Sequence, residues 1–561
     1  MILVTLRPLR CRRDREVSGR VGGVLRGQGV CTAAVGHLPS TIMRLSRGLL
    51  AAASGLLLAV TGCSSAGDEP AASAPSSTSS APAEAIAQDI RWTPCDEQID
   101  PLIAGTPGSE RDLAFECGST EVPISYEEPD GATLPLFLVR ARLAGQTDRI
   151  GSLLVNPGGP GGSGADAAIG SALTLPEDVL RRFDLIGFDP RGVGLSTPVE
   201  CVPAELKDRL VAAEPRPTTE EQLDETFALA QEVADGCAEE YGDALGTFNT
   251  VDTARDMDLL RQSLGDEQLT YLGYSYGTTL GSTYAELFPE NVRALVLDAA
   301  VDPDTDPVTD AETSAASFEA GFDAFAANCT KLVSGCPLGD DPRRFVQDLL
   351  AQAAQAPIPS AREGETRQAT PGVVLTAVQA ALYDTGAWPQ LAQGLAAAQQ
   401  GDSQQLFSLA DSYYGRLQDG TWSNLIDANL AVNCADSDPD EQVDEQRVRE
   451  LAADWGQRYP LFGAGSATGL HTCSVWEAEH TPLPERDAAG AAPILVVGNT
   501  GDPVTPLTGA QDLAEELESG VLLTWEGQGH TAYPKTDCVT QAVGSYLVDL
   551  VVPQDGLTCP A

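Results

Sequence analysis

The sequence predicts an α/β fold: a mostly parallel sheet covered by helices on both faces, with a large helical cap inserted before the last strands. Three observations predict it. Short, almost wholly apolar runs alternate with segments of helical period. Several of these runs end abruptly in Gly, Asp and Pro turns. One long stretch rich in Ala, Gln and Leu, about 303–485, interrupts the alternation.

Taken in order, strands are expected at Ala132–Ala144, Ile150–Asn156, Phe183–Phe188, Leu269–Gly273 and Val292–Leu297, then at Pro493–Val497 and Val521–Trp525 after the interruption. Apolar residues at helical spacing mark helices at Thr253–Leu264, Tyr276–Phe288, Leu507–Leu517 and Val539–Leu550. A smaller acidic insertion, about 199–248, also breaks the pattern, and no internal repeat is present. The domain organisation follows: 1–62 a signal region, 63–88 a tether, 89–302 with 486–561 one α/β domain, and 303–485 a helical cap.

The chain has 561 residues, 34 basic and 81 acidic side chains, and a formal charge of -47. At 42% hydrophobic residues it is too apolar for a disordered protein and too polar for a transporter. The carboxylate excess repels phosphate and argues against a nucleic-acid partner. Residues 1–62 are the exception, with nine Arg against Asp14 and Glu16. Met43-Arg44-Leu45-Ser46-Arg47 leads into the apolar run Gly48–Val60 and then Thr61-Gly62-Cys63. That run suits a signal peptide better than a membrane span. Small residues before a cysteine resemble a bacterial lipobox, so Cys63 is expected to be lipidated and to become the mature N-terminus, with translation starting at Met43. Ser64 to about Gln88 is nearly all Ser, Ala, Pro, Gly and acid. Such a segment cannot bury enough apolar surface to fold, and about 25 flexible residues reach roughly 25–30 Å. The expected location is extracytoplasmic, anchored to a bacterial cell membrane by lipid alone or secreted.

Ten cysteines follow Cys63, an even number that suits disulfides in an oxidising compartment. Neighbour pairing is expected, each pair falling within one apparent segment: Cys95–Cys117, Cys201–Cys237, Cys329–Cys336, Cys434–Cys473 and Cys538–Cys559. Metal ligation is poorly served, without a close Cys-x-x-Cys pair or clustered His, so neither metal nor organic cofactor is expected.

Chemistry concentrates around Gly273-Tyr274-Ser275-Tyr276-Gly277, a G-x-S-x-G pentapeptide between an apolar strand and a helix. Such a turn exposes a serine hydroxyl at the carboxyl edge of a sheet. Serine needs a base. After Cys63 the histidines are His471 and His480, both within the interruption, and His530 just beyond an expected strand. His530 is therefore the candidate base. Asp502 follows the preceding strand and is the candidate to orient it, completing the order Ser, acid, His. The bland alternatives are a helix cap for Asp502 and a packed loop histidine for His530. The backbone N–H of Tyr276 and that of Gly158 or Gly159, in the loop Asn156-Pro157-Gly158-Gly159-Pro160-Gly161-Gly162-Ser163-Gly164, would form the oxyanion hole. A phosphate loop fails for want of Gly-Lys-Ser/Thr and of the G-x-G-x-x-G spacing.

With Asp189-Pro190-Arg191-Gly192, Gly501-Asp502-Pro503-Val504-Thr505 and Gly529-His530, these motifs resemble exported tripeptidyl aminopeptidases of the α/β-hydrolase superfamily, relatives of proline iminopeptidases with a characteristic C-terminal segment. The resemblance covers roughly residues 88–561. It implies an α/β-hydrolase fold and a serine exopeptidase that releases short peptides, often tripeptides, from free N-termini of peptide substrates through an acyl-enzyme. The family's cap motif is matched by Asn433-Cys434-Ala435-Asp436-Ser437-Asp438, which makes Asp436 a candidate to hold the substrate ammonium, against the plainer reading of a solvated acidic loop. A carboxylesterase or lipase using the same triad is the alternative, and a catalytically dead binding lipoprotein a remoter one. A monomer is expected.

Overall fold

The computed structural model describes residues 87–302 and 305–561. The expected signal region, the Met43 start, Cys63 and the tether up to residue 86 lie outside the described residues. Ten strands, β1 (Thr93–Pro94), β2 (Leu113–Pro123), β3 (Thr133–Leu143), β4 (Gly151–Asn156), β5 (Phe183–Phe188), β6 (Leu269–Tyr274), β7 (Val292–Asp298), β8 (Ile494–Gly501), β9 (Gly520–Gln528) and β10 (Leu557–Pro560), form one sheet. The order is β1-β2-β3-β5-β4-β6-β7-β8-β9-β10. The pairings β1–β2, β2–β3 and β3–β5 are antiparallel. All others, from β5–β4 across to β9–β10, are parallel.

The central strands read as unbroken apolar runs because both faces are covered. Successive side chains of a strand point to opposite faces. Leu153, Val155, Leu272, Val296, Leu495 and Val497 enter one core, with Ala168, Ile169, Val543 and Leu547 from the helices Gly164–Thr174 and Asp537–Asp549. Leu154, Tyr271, Leu295, Leu297 and Val496 enter the other, with Met257, Leu260, Leu280, Ala510 and Leu513 from Thr250–Leu264, Tyr276–Leu287 and Leu507–Glu516. Strand β2, absent from the sequence expectation, is antiparallel and close to an edge. Its middle carries Glu116, Gly118, Ser119 and Glu121, none of them buried, on alternating faces, and so lacks an apolar run.

Between β7 and β8 the chain is helical, from Pro307–Thr330 to Gly463–Gly469. These helices enclose a separate core that includes Phe318, Phe322, Phe325, Leu350, Val374, Trp388, Leu395 and Phe407. The acidic insertion joins them. Val199, Leu206, Val233, Cys237 and Phe248 pack with Ala431, Cys434 and Trp476. Leu223 and Phe227 pack with Val448, Leu451 and Trp455. Each of the five neighbouring cysteine pairs, Cys95–Cys117, Cys201–Cys237, Cys329–Cys336, Cys434–Cys473 and Cys538–Cys559, is joined by an S–S bond. Together they place the folded chain in an extracytoplasmic, oxidising setting. No helix among the described residues is long and apolar enough to cross a membrane.

Local signals set the boundaries of the insertion. Thr219 and Gln222 form a capping box at the start of Glu220–Tyr241. The Asn249 side chain accepts from Asp252 N–H at the start of Thr250–Leu264, and Gly265, at φ 77°, ends that helix. Arg191 fastens this helix to the sheet. Its fully buried guanidinium donates to Asp256 through Nε at 2.8 Å and Nη2 at 2.7 Å, and to the carbonyls of Pro123, Ile124 and Thr247. Removing it strands a buried carboxylate. Arg191→Ala is expected to lower stability by about 3–5 kcal/mol in urea denaturation. Arg191→Lys should recover only part, because an ammonium cannot make the fork.

Candidate active site

At the end of β6 the chain turns sharply into Tyr276–Leu287, with Ser275 at φ 57°, ψ −127°. A non-glycine residue rarely adopts positive φ, so the surroundings must hold it. They do so on every side. Ser275 N–H donates to the Asp298 carbonyl at 3.0 Å, and the Ser275 carbonyl accepts from the N–H and the hydroxyl of Thr278, both at 2.7 Å. The buried Tyr271 hydroxyl donates to the Gly277 carbonyl at 2.8 Å. Position 273 must be glycine, since a Cβ there would lie 2.3 Å from the Gly277 oxygen.

His530 follows β9 and Asp502 follows β8. His530 Nδ1 lies 3.0 and 2.9 Å from the two Asp502 carboxylate oxygens. Asp502 also accepts from the N–H groups of Val504 and Thr505 and from the Thr505 hydroxyl and Asn499 amide. Burial works to raise its carboxyl, but the His530 charge and hydrogen bond, with the two backbone N–H groups, outweigh it and hold the pKa below the ordinary value. Pro506, not Asp502, occupies the N-cap position of the helix that follows, without a side-chain cap. His530 N–H donates to the Tyr383 carbonyl at 2.8 Å, and Lys535 Nζ donates to the His530 carbonyl at 2.9 Å. Nε2 is buried and makes no hydrogen bond among the described residues. The ring is thus fixed at Nδ1 and open at Nε2, the nitrogen from which a proton can be taken up or given.

The glycine loop meets the nucleophile turn directly. A Cβ on Gly158, at φ 90°, would sit 2.9 Å from Ser275 Cβ and 3.1 Å from Tyr276 N. Tyr276, first residue of its helix, has no intrahelical acceptor for its N–H. The Gly158 N–H is already given to Asn156 Oδ1 at 2.9 Å. Gly159 is next in the loop, at φ 121°. Asp189 shapes this loop. Its buried carboxylate accepts from the Ser163 hydroxyl, Ala165 N–H and Leu195 N–H at 2.6, 3.2 and 2.8 Å.

Above the loop lies the cap helix Leu425–Asp436, whose Asn429 amide donates to the Pro160 carbonyl at 3.0 Å. At its end Asp436 takes the Thr250 N–H and hydroxyl at 2.8 and 2.6 Å. Burial pushes this carboxyl up to about 7, against the Thr250 hydrogen bonds and the Arg486 charge. It is therefore a held carboxylate, not a freely solvated one. His471 pairs with the Ser474 hydroxyl, and His480 with the hydroxyl of Ser437, the residue after Asp436. No metal-binding group of three or more His, Cys, Asp or Glu occurs among the described residues.

Asp298 ends β7, one residue beyond the strand expected from the sequence. Its carbonyl holds Ser275, and its buried carboxylate accepts from the N–H groups of Ala532 (2.9 Å) and Tyr533 (2.7 Å), just beyond His530. Burial pushes it up to about 6, opposed by those N–H groups and the His530 charge. One residue therefore braces nucleophile and histidine together; its place at the carboxyl end of the strand beside β6 was the available signal. Asp298→Ala leaves two buried N–H groups without an acceptor, and is expected to lose about 1–3 kcal/mol of stability. It should also slow fluorophosphonate labelling of Ser275 by about tenfold or more, a smaller loss in Asp298→Asn marking the retained acceptor.

A family model described as the alpha/beta hydrolase fold matches residues 151–535. The chain is 37% identical over 493 residues to serine protease Hip1 of Mycobacterium tuberculosis, spanning 84% of this chain and 91% of that protein. It is likewise 37% identical over 496 residues to carboxylesterase B of the same organism, spanning 85% and 91%. To the tripeptidyl aminopeptidase of Streptomyces lividans it is 30% identical over 468 residues, spanning 79% and 83%. The chain belongs to the α/β-hydrolase family, in the branch of serine hydrolases that resemble the tripeptidyl aminopeptidases.

Proposed function

We propose that the protein is an exported serine exopeptidase, tethered through lipidated Cys63, that releases short peptides, tripeptides foremost, from free N-termini. Ser275 Oγ attacks the scissile carbonyl while His530 Nε2 takes its proton, and Asp502 holds the imidazole and stabilises the imidazolium. The N–H groups of Tyr276 and Gly159 receive the oxyanion, with Gly158 allowing the close approach. His530 then protonates the leaving amine. Water, deprotonated by the same nitrogen, hydrolyses the acyl-enzyme.

The observation that carries the peptidase reading is the carboxylate of Asp436, at the end of the cap helix that crosses the oxyanion loop. An ammonium taken out of water must be paired, and a carboxylate fixed relative to Ser275 measures a set length of peptide from the N-terminus. The 37% identity to a protein named carboxylesterase B favours a second reading, an esterase with the same triad.

The deciding assay offers the region from Glu84 onward one tripeptide anilide as free amine and as N-acetyl form, beside a short acyl ester. Cleavage confined to the free amine is expected; equal cleavage of the blocked peptide, or ester turnover alone, hands the function to the endopeptidase or esterase. Asp502→Asn should lower kcat by about 10⁴-fold, with Ser275→Ala as the inactive control. Asp436→Asn should raise KM for the free-amine substrate by roughly 10–100-fold and leave KM for the ester within about threefold. Because only the ionised carboxylate holds an ammonium and its pKa stands at about 7, KM for the amine should climb as pH falls through neutrality. The climb should vanish in Asp436→Asn.

A further inference from the structure

Tyr276 has two polar ends. Its backbone N–H is the proposed oxyanion donor, and its phenol hydroxyl meets the hydroxyl of Thr250. Thr250, fully buried at the start of its helix, gives its N–H and its hydroxyl to Asp436, at 2.8 and 2.6 Å. A threonine hydroxyl has one proton. Given to Asp436, it leaves Thr250 Oγ1 as the acceptor, so the phenol is the donor. Burial and the Asp436 charge push the Tyr276 pKa well up, which keeps that phenol protonated. The hydrogen bonds therefore run one way, from Tyr276 through Thr250 to Asp436. They join residues from three separate parts of the chain: the nucleophile helix, the helix following the acidic insertion, and the cap.

We propose that Tyr276, Thr250 and Asp436 act as one positioning relay, through which the cap carboxylate holds the oxyanion donor and a bound N-terminal ammonium is felt at the reacting carbonyl. The proposal rests on the amine-binding reading of Asp436. An ammonium keeps Asp436 ionised, in balance with its charged neighbour Arg486, and so preserves the direction of the chain. A protonated Asp436 would offer a hydrogen of its own. Thr250 would then be free to donate toward Tyr276, and the phenol would lose its acceptor. Tyr276 and Thr250 are positioning residues here. Preference for a free N-terminus is accordingly expressed in kcat as well as in KM.

The test is a double-mutant cycle on the whole exported region, read with the tripeptide anilide, its N-acetyl form, the acyl ester and the rate of fluorophosphonate labelling. Thermal unfolding confirms that each variant is folded. Tyr276→Phe keeps the backbone N–H and is expected to lower kcat on the free-amine peptide by about tenfold, with KM within about threefold. Thr250→Val should match it, and Thr250→Ser should restore most of the loss. The double variant Asp436→Asn, Tyr276→Phe should have a kcat within about threefold of the worse single variant, since both cut one chain. Losses that multiply independently, or a Tyr276→Phe effect confined to KM, overturn the relay. An unchanged preference for free over acetylated peptide in Asp436→Asn, with the coupling intact, overturns the amine reading alone and leaves the relay standing.

Discussion

The site depends on a backbone conformation that a serine avoids. Ser275 at φ 57° is tolerable only because its N–H and carbonyl are both engaged and because glycine at 273 lets the turn close on itself. Thr278 of the following helix engages the carbonyl, and the other supports are delivered by the sheet. Asp298 ends β7, Tyr271 lies within β6, and both strands are locked by apolar packing on two faces. The cost of the strained turn is thus spread over the core, and the hydroxyl is held at the carboxyl edge, where the loops of β4, β8 and β9 converge.

The cap is bonded to the chemistry at three places, beyond merely covering it. The Tyr383 carbonyl accepts from His530 N–H, the Asn429 amide donates to the glycine loop, and Asp436 accepts from Thr250. His530, the glycine loop and Thr250 therefore each have a cap residue fixing them. A rigid-body shift of the cap would loosen all three contacts.

What was legible in the sequence was local. The central strands were visible because double coverage leaves an unbroken apolar run, and the nucleophile turn because its glycines and flanking elements are contiguous. Strand β2 was not, because Glu, Gly and Ser interrupt its apolar positions on both faces. Nor was the packing of residues 199–248 with the cap, which rests on contacts such as Phe227 with Trp455. The same limit hid Asp298, whose carboxylate partners lie 234 and 235 residues away. Asp436 could be picked out by its motif, but its bond to Thr250, 186 positions distant, could not. Arg191 and Asp189 stood out as one motif. The structure divides them, one bracing the scaffold and the other the glycine loop.

The connectivity of the disulfides has a consequence for biogenesis. The five bridges close loops of 22, 36, 7, 39 and 21 residues, and none overlaps or encloses another. In a chain that emerges N-terminus first, each of these ten cysteines meets its partner before the next pair appears, so pairing in order of appearance among them produces the native set.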